Sequence, residues 1–141
     1  ETDFNNYRYN PNSISKKVDE KNTGYLVDCF HVIQENIETF PDKKVFIEPL
    51  YQRVAYVVIA IAMSTYFHPD NKDSVFKKIN KFAKVIKEND LFSTSIAKCT
   101  TTGMDKQRKL TLTFIRLHIY IMLPFIGWLK QYCLKKGKYN Y

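Results

Sequence analysis

Three histidines, three cysteines and fourteen carboxylates are the groups in this chain that could move protons or bind a metal, and their spacing assembles no site. Cys29 and His31 stand two residues apart, which on a helix turns them to different faces. His118 lies inside an apolar run, where a hydrogen-bonded core imidazole is expected rather than a general base. The chain has no C-x-x-C pair, no H-E-x-x-H, no G-x-S-x-G and no glycine-rich phosphate loop. Catalysis needs a nucleophile, a base and an orienting group within hydrogen-bond reach. The expectation is a non-enzymatic protein with no metal and no cofactor. Cys29, Cys99 and Cys133 are odd in number and widely spaced. One disulfide with a free thiol and three buried thiols both fit, and a disulfide-stapled scaffold does not.

The chemistry left is that of rings and cations. Ten Tyr, ten Phe and one Trp make up 15% of the chain. The net charge of +8 is uneven: residues 91–141 hold nine Lys/Arg against Asp105 alone, and residues 1–90 balance to zero. Such asymmetry points to an acidic partner, either an anionic membrane surface or an acidic glycoprotein, with nucleic acid the least favoured and a homo-oligomer left open. The candidate contact residues fall in two groups. Lys77, Lys78, Lys81, Lys84 and Lys87 crowd one side of an amphipathic helix, offset only by Glu88. Arg116, Trp128, Lys130, Tyr132, Lys135, Lys136 and Lys138 interleave rings with cations near the C-terminus, a pattern suited to headgroup depth at a membrane. The plainer alternative puts Trp128 and Tyr132 in the core and the lysines in water.

These residues need elements to hold them. With four Gly and five Pro in 141 residues, and 45% apolar residues, the chain reads as one all-α domain. The expected fold is an up-and-down bundle of four to five helices. Residues 1–23 read as an extended or flexible arm, with Tyr7 and Tyr9 as potential anchors, and residues 24–141 as the domain. Leu26, Cys29, Phe30, Ile33, Ile37 and Phe40 form an apolar stripe over a first helix, which Pro41 ends. A second helix follows Asp42 and reaches Phe67. Its uncharged run Val54–Phe67 is short for a bilayer, which needs roughly 20 residues, so it is expected at the centre of the bundle. Asp73 or Ser74 should cap a third helix, Val75 to Asn89, with Phe76, Ile79, Ala83 and Ile86 facing inward. Residues 90–104 read as a connection with room for one helical turn. A last helix is expected from Asp105 to Lys136, kinked at Pro124; Arg116 near the middle of its apolar stretch argues against a membrane span.

Three segments carry a family resemblance. They are Phe82-Ala-Lys-Val-Ile-Lys-Glu-Asn-Asp-Leu-Phe92, Val18-Asp-Glu-Lys before the first helix, and Lys43-Lys44 opening the second. On these segments it resembles the abalone sperm acrosomal fertilization proteins, the lysin family. The arginine tracks of lysin are thin here and the C-terminal helix is more apolar, which is similar to the fusion-promoting paralogue. The resemblance implies a non-enzymatic helical protein of sperm–egg attachment or membrane fusion, secreted or held in the acrosomal vesicle, with an egg-coat glycoprotein as the acidic alternative to a membrane. No residue's role carries over. The start at Glu1 fits removal of a secretory signal, with a mitochondrial presequence as the rival. The competing functions are a cytokine-like helical ligand and a small helical subunit of a mitochondrial or other membrane assembly.

Overall fold

The computed structural model describes residues 21–135, and all regular structure among them is helical. The elements are α1 (Lys21–Glu38), α2 (Lys43–Ile61), α3 (Val75–Glu88), α4 (Asp90–Lys98), α5 (Lys106–Arg116) and α6 (Leu123–Lys135). A π turn, Ala62–Tyr66, prolongs α2, and a 3-10 turn, Tyr120–Met122, leads into α6. The all-α bundle expected from sequence is the fold, with six α-helices where four or five were expected. α1 starts at Lys21, three residues inside the segment read as an arm; Tyr7 and Tyr9 lie outside the described residues.

The two extra helices have local causes. Asn89 opens α4 as its cap: its Oδ1 accepts from the Phe92 amide at 2.9 Å. Asp90 and Lys98 complement the dipole at the two ends, and Leu91, Phe92, Ser95 and Ile96 are buried. The expected last helix divides in two, and Pro124 is not where it breaks. α5 ends at Arg116, the Ile119 amide bonds the Phe114 carbonyl at 2.9 Å, and the His118 amide bonds that of Ile115 at 3.1 Å. This paired closure is the Schellman stop, with His118 in the left-handed position at φ 56°. Pro124 then falls in the first turn of α6, where a missing N–H costs nothing.

α2 is the centre of the molecule and touches α1, α4 and α5. Leu50, Val54, Ala55, Val58, Ile59 and Ile61 are buried along it, and Ala62, Met63, Thr65 and Tyr66 continue the buried surface through the π turn. Lys43–Tyr66, 24 residues with a mean hydropathy of 1.5, is long and apolar enough to cross a membrane. Its place under three other helices accounts for that composition. α1 packs mainly on α2, so only a narrow strip of it is covered: Phe30 is buried, Leu26 and Ile37 are half-buried, and Cys29, Ile33 and Phe40 are exposed.

α3 is anchored by a residue outside the expected inward set. Phe82 is 0% exposed, whereas Phe76 is 76% exposed. Phe82 continues the stripe of Ile79, Ala83 and Ile86, and Phe76 lies one turn upstream, beside the exposed Val75. The Phe82 ring meets Tyr66 at 5.5 Å, Phe67 edge-on at 5.4 Å and Tyr120 edge-on at 5.6 Å. These four rings join the π turn, α3 and the approach to α6.

Candidate contact surface

α6 presents two faces. Leu123, Ile126, Gly127 and Lys130 follow the i, i+3, i+4, i+7 spacing; the first three are buried and Lys130 is half-buried. Gly127 permits the contact: a Cβ there would run into the backbone carbonyl of Phe67, which ends the π turn. On the other side, Phe125, Trp128 and Tyr132 stand at i, i+3, i+7 and stack as a ladder. Phe125 and Trp128 lie 6.2 Å apart with 26° between planes, and Trp128 and Tyr132 lie 5.5 Å apart with 19°. The three rings are 56%, 54% and 43% exposed. Leu117, Ile119, Ile121, Met122 and Leu129 are exposed on the preceding turn and on α6 itself. Single exposed apolar residues are ordinary, whereas these are grouped along α6 and the turn before it.

Trp128 and Tyr132 are therefore exposed on α6, and not in the core. Phe125 belongs to the same ladder and was missed, because it reads as part of an apolar run; its spacing to Trp128 and Tyr132 was the available signal. A second exposed aromatic pair, Phe40 and Phe46 at 5.5 Å, sits with Pro41 and Val45 where α1 turns into α2. It too was absent from the candidate residues.

The cations are arranged differently from expectation. Arg116 is not a free contact residue: its Nε donates to the Ile96 carbonyl at 2.7 Å and an Nη to the Cys99 carbonyl at 2.6 Å. It closes the C-terminal end of α4, as a cation at that pole should. Lys130 faces inward; burial pulls its ammonium pKa down, and Arg108 nearby adds to the effect. Lys135 is the last residue of α6, and Lys136 and Lys138 lie outside the described residues.

On α3, Asp73 offsets lysines that Glu88 alone was expected to balance. Ser74 is the cap, and Asp73 instead accepts from the Lys77 and Lys81 ammonium groups, each at 2.8 Å. Those hydrogen bonds hold the Asp73 carboxyl down at about 2, against 3.8 ordinarily. Lys84 pairs with Glu88 at 3.8 Å. Lys78 and Lys87 have no acidic partner among the described residues. Because the folded pKa of Asp73 is depressed, its contribution to stability is full above pH 3.8 and is lost as pH falls towards about 2. The stability gap between the protein and its Asp73→Asn variant should close across that window. Urea denaturation along a pH series reads it, and a gap that stays constant would mean that Asp73 does not hold the lysines.

His118 is exposed at the stop of α5, and not buried in a helix as expected; its Nδ1 lies 2.8 Å from the Tyr120 hydroxyl. Among the described residues Cys29 is an exposed free thiol and Cys99 a buried one, and no group of three His, Cys, Asp or Glu converges. The Cys133 side chain lies outside the description. No protein family, no curated protein and no solved structure matches this chain.

Proposed function

We propose that this is a non-enzymatic, membrane-active protein that lays the α6 ladder into the interface of an anionic membrane. The observation that carries the reading is the stacked, half-exposed Phe125–Trp128–Tyr132 series on a helix whose opposite face is packed. Aromatic rings with an apolar body and a polar edge favour headgroup depth. The charge of residues 91–141, nine Lys/Arg against one Asp, supplies attraction to an anionic surface before the rings enter. The resemblance to the acrosomal fertilization proteins supports a setting: a secreted or vesicle-stored protein that promotes attachment or fusion of gamete membranes.

Vesicle co-sedimentation, with anionic and neutral lipid over a salt series, tests the reading. Binding should need anionic lipid and weaken as salt rises. Trp128→Ala and Phe125→Ala should each lower partitioning about tenfold, or about 1.4 kcal/mol. The triple change of Lys135, Lys136 and Lys138 to Asp should weaken binding at low salt and matter less at high salt. Equal binding by the ladder variants would remove α6 from the contact. Absence of vesicle binding at any salt would leave the ladder as a site for protein, whether a second copy or an acidic glycoprotein.

A further inference from the structure

A concave site lies away from the ladder, between α3, α4 and the stop of α5. It is a half-open depression of about 430 Å³ lined by Ala83, Ile86, Lys87, Ser93, His118 and Tyr120. Ligand sites generally occupy roughly 300–1,000 Å³, with mostly apolar walls and a few placed polar groups. Here Ala83, Ile86 and the Tyr120 ring form the apolar part, and Lys87, His118 and Ser93 supply the polar groups.

Two further observations point to a ligand of definite charge. The first is His118 itself. The left-handed position that closes a helix normally takes glycine, and a residue with a side chain is strained there. The strain holds an imidazole at the site, bonded through Nδ1 to Tyr120 at 2.8 Å. Burial raises the Tyr120 phenol pKa and keeps it protonated. In the tautomer that a bound anion selects, that O–H donates to Nδ1 and the ring proton sits on Nε2, facing the ligand. The second is Lys87. Lys77, Lys81 and Lys84 have carboxylates within 4 Å, Lys78 and Lys87 have none among the described residues, and of these two Lys87 lines the cavity. An ammonium and an imidazole N–H beside an apolar wall are complementary to an anion with a tail.

We propose that this cavity binds a free amphipathic carboxylate, with a medium-chain acyl tail against Ala83, Ile86 and the Tyr120 ring and the carboxylate between Lys87 and His118. The site is separate from the α6 ladder, and its occupancy does not depend on membrane contact.

Titration calorimetry with monomeric decanoate in vesicle-free buffer tests it, with 1-decanol as the uncharged comparison. Decanoate should saturate at one per chain, and decanol should bind about tenfold more weakly, for want of charge-assisted hydrogen bonds. Lys87→Met, at an exposed position, should cost about tenfold in affinity. His118→Gly should relieve the backbone and hold or raise the Tm, yet bind decanoate more weakly, a divergence that a purely structural His118 does not produce. Ala83→Trp should fill the cavity and abolish saturable binding. The Phe125→Ala, Trp128→Ala double variant should bind decanoate as the parent does. Lack of saturation up to millimolar decanoate overturns the proposal. So does affinity unchanged in both Lys87→Met and His118→Gly, or binding lost with the ladder.

Discussion

Phe82→Ala should cost about 3–5 kcal/mol, the range for removing a fully buried aromatic ring. Domains of this size are stable by roughly 5–15 kcal/mol in total, so the variant stands near the edge of folding. Three features set the size of the effect. Phe82 is 0% exposed, it meets Tyr66, Phe67 and Tyr120 within 5.6 Å, and those rings come from two separate parts of the chain. The surrounding backbone is helical on each side, so the void closes only in part. Thermal melting should fall by roughly 10–20 °C. Phe76→Ala on the same helix should move stability by no more than about 0.5 kcal/mol, because that ring is 76% exposed. Similar losses at the two positions would mean that α3 is rotated from the placement described.

Gly127→Ala is the second large effect, and its sign is informative. Helix propensity alone favours alanine over glycine by about 1 kcal/mol. Against that, the new methyl would press on the Phe67 carbonyl. The obstacle is backbone at the end of the π turn, which cannot rotate aside as a side chain would. Overpacking of this kind costs about 1–3 kcal/mol, so a net loss is expected. Urea midpoints should fall with an unchanged denaturant slope. A stabilised variant would show that α6 does not approach the π turn so closely. The position matters beyond stability, since the seat of α6 at Gly127 sets how far the ladder on its other face projects.

Elements governed by local patterns were legible in the sequence. The long apolar second helix, a first helix that stops short of Pro41 and a cap at Asp73 or Ser74 follow from spacing and capping chemistry within a few residues. α4 was harder, because its nine residues are rich in Ser and Thr and resemble a connection; only the Asn89 cap and its buried side mark it. The break after Arg116 was hidden because the left-handed position holds His118, where glycine would have announced a stop. The bonding of Arg116 to the end of α4 was hidden for a different reason. Its acceptors, Ile96 and Cys99, lie far upstream, and no local pattern records a tertiary cap. The same limit applies to Asp73, whose hold on Lys77 and Lys81 depends on the turn before α3. In the ladder, Trp128 and Tyr132 stood out as rings among lysines, and Phe125 was concealed by its apolar neighbours.

Trp128 is the single tryptophan of the chain and the middle rung of the ladder, so its fluorescence reports on the proposed contact directly. The measurement is the emission of Trp128 with anionic and neutral vesicles, together with quenching by lipids brominated at different depths. Membrane docking by α6 predicts a blue shift with anionic vesicles, reversed by salt, and strongest quenching from bromines near the headgroup region. Vesicles that bind the protein while Trp128 emission and quenching stay as they are in buffer would contradict it, and would place the contact on another face.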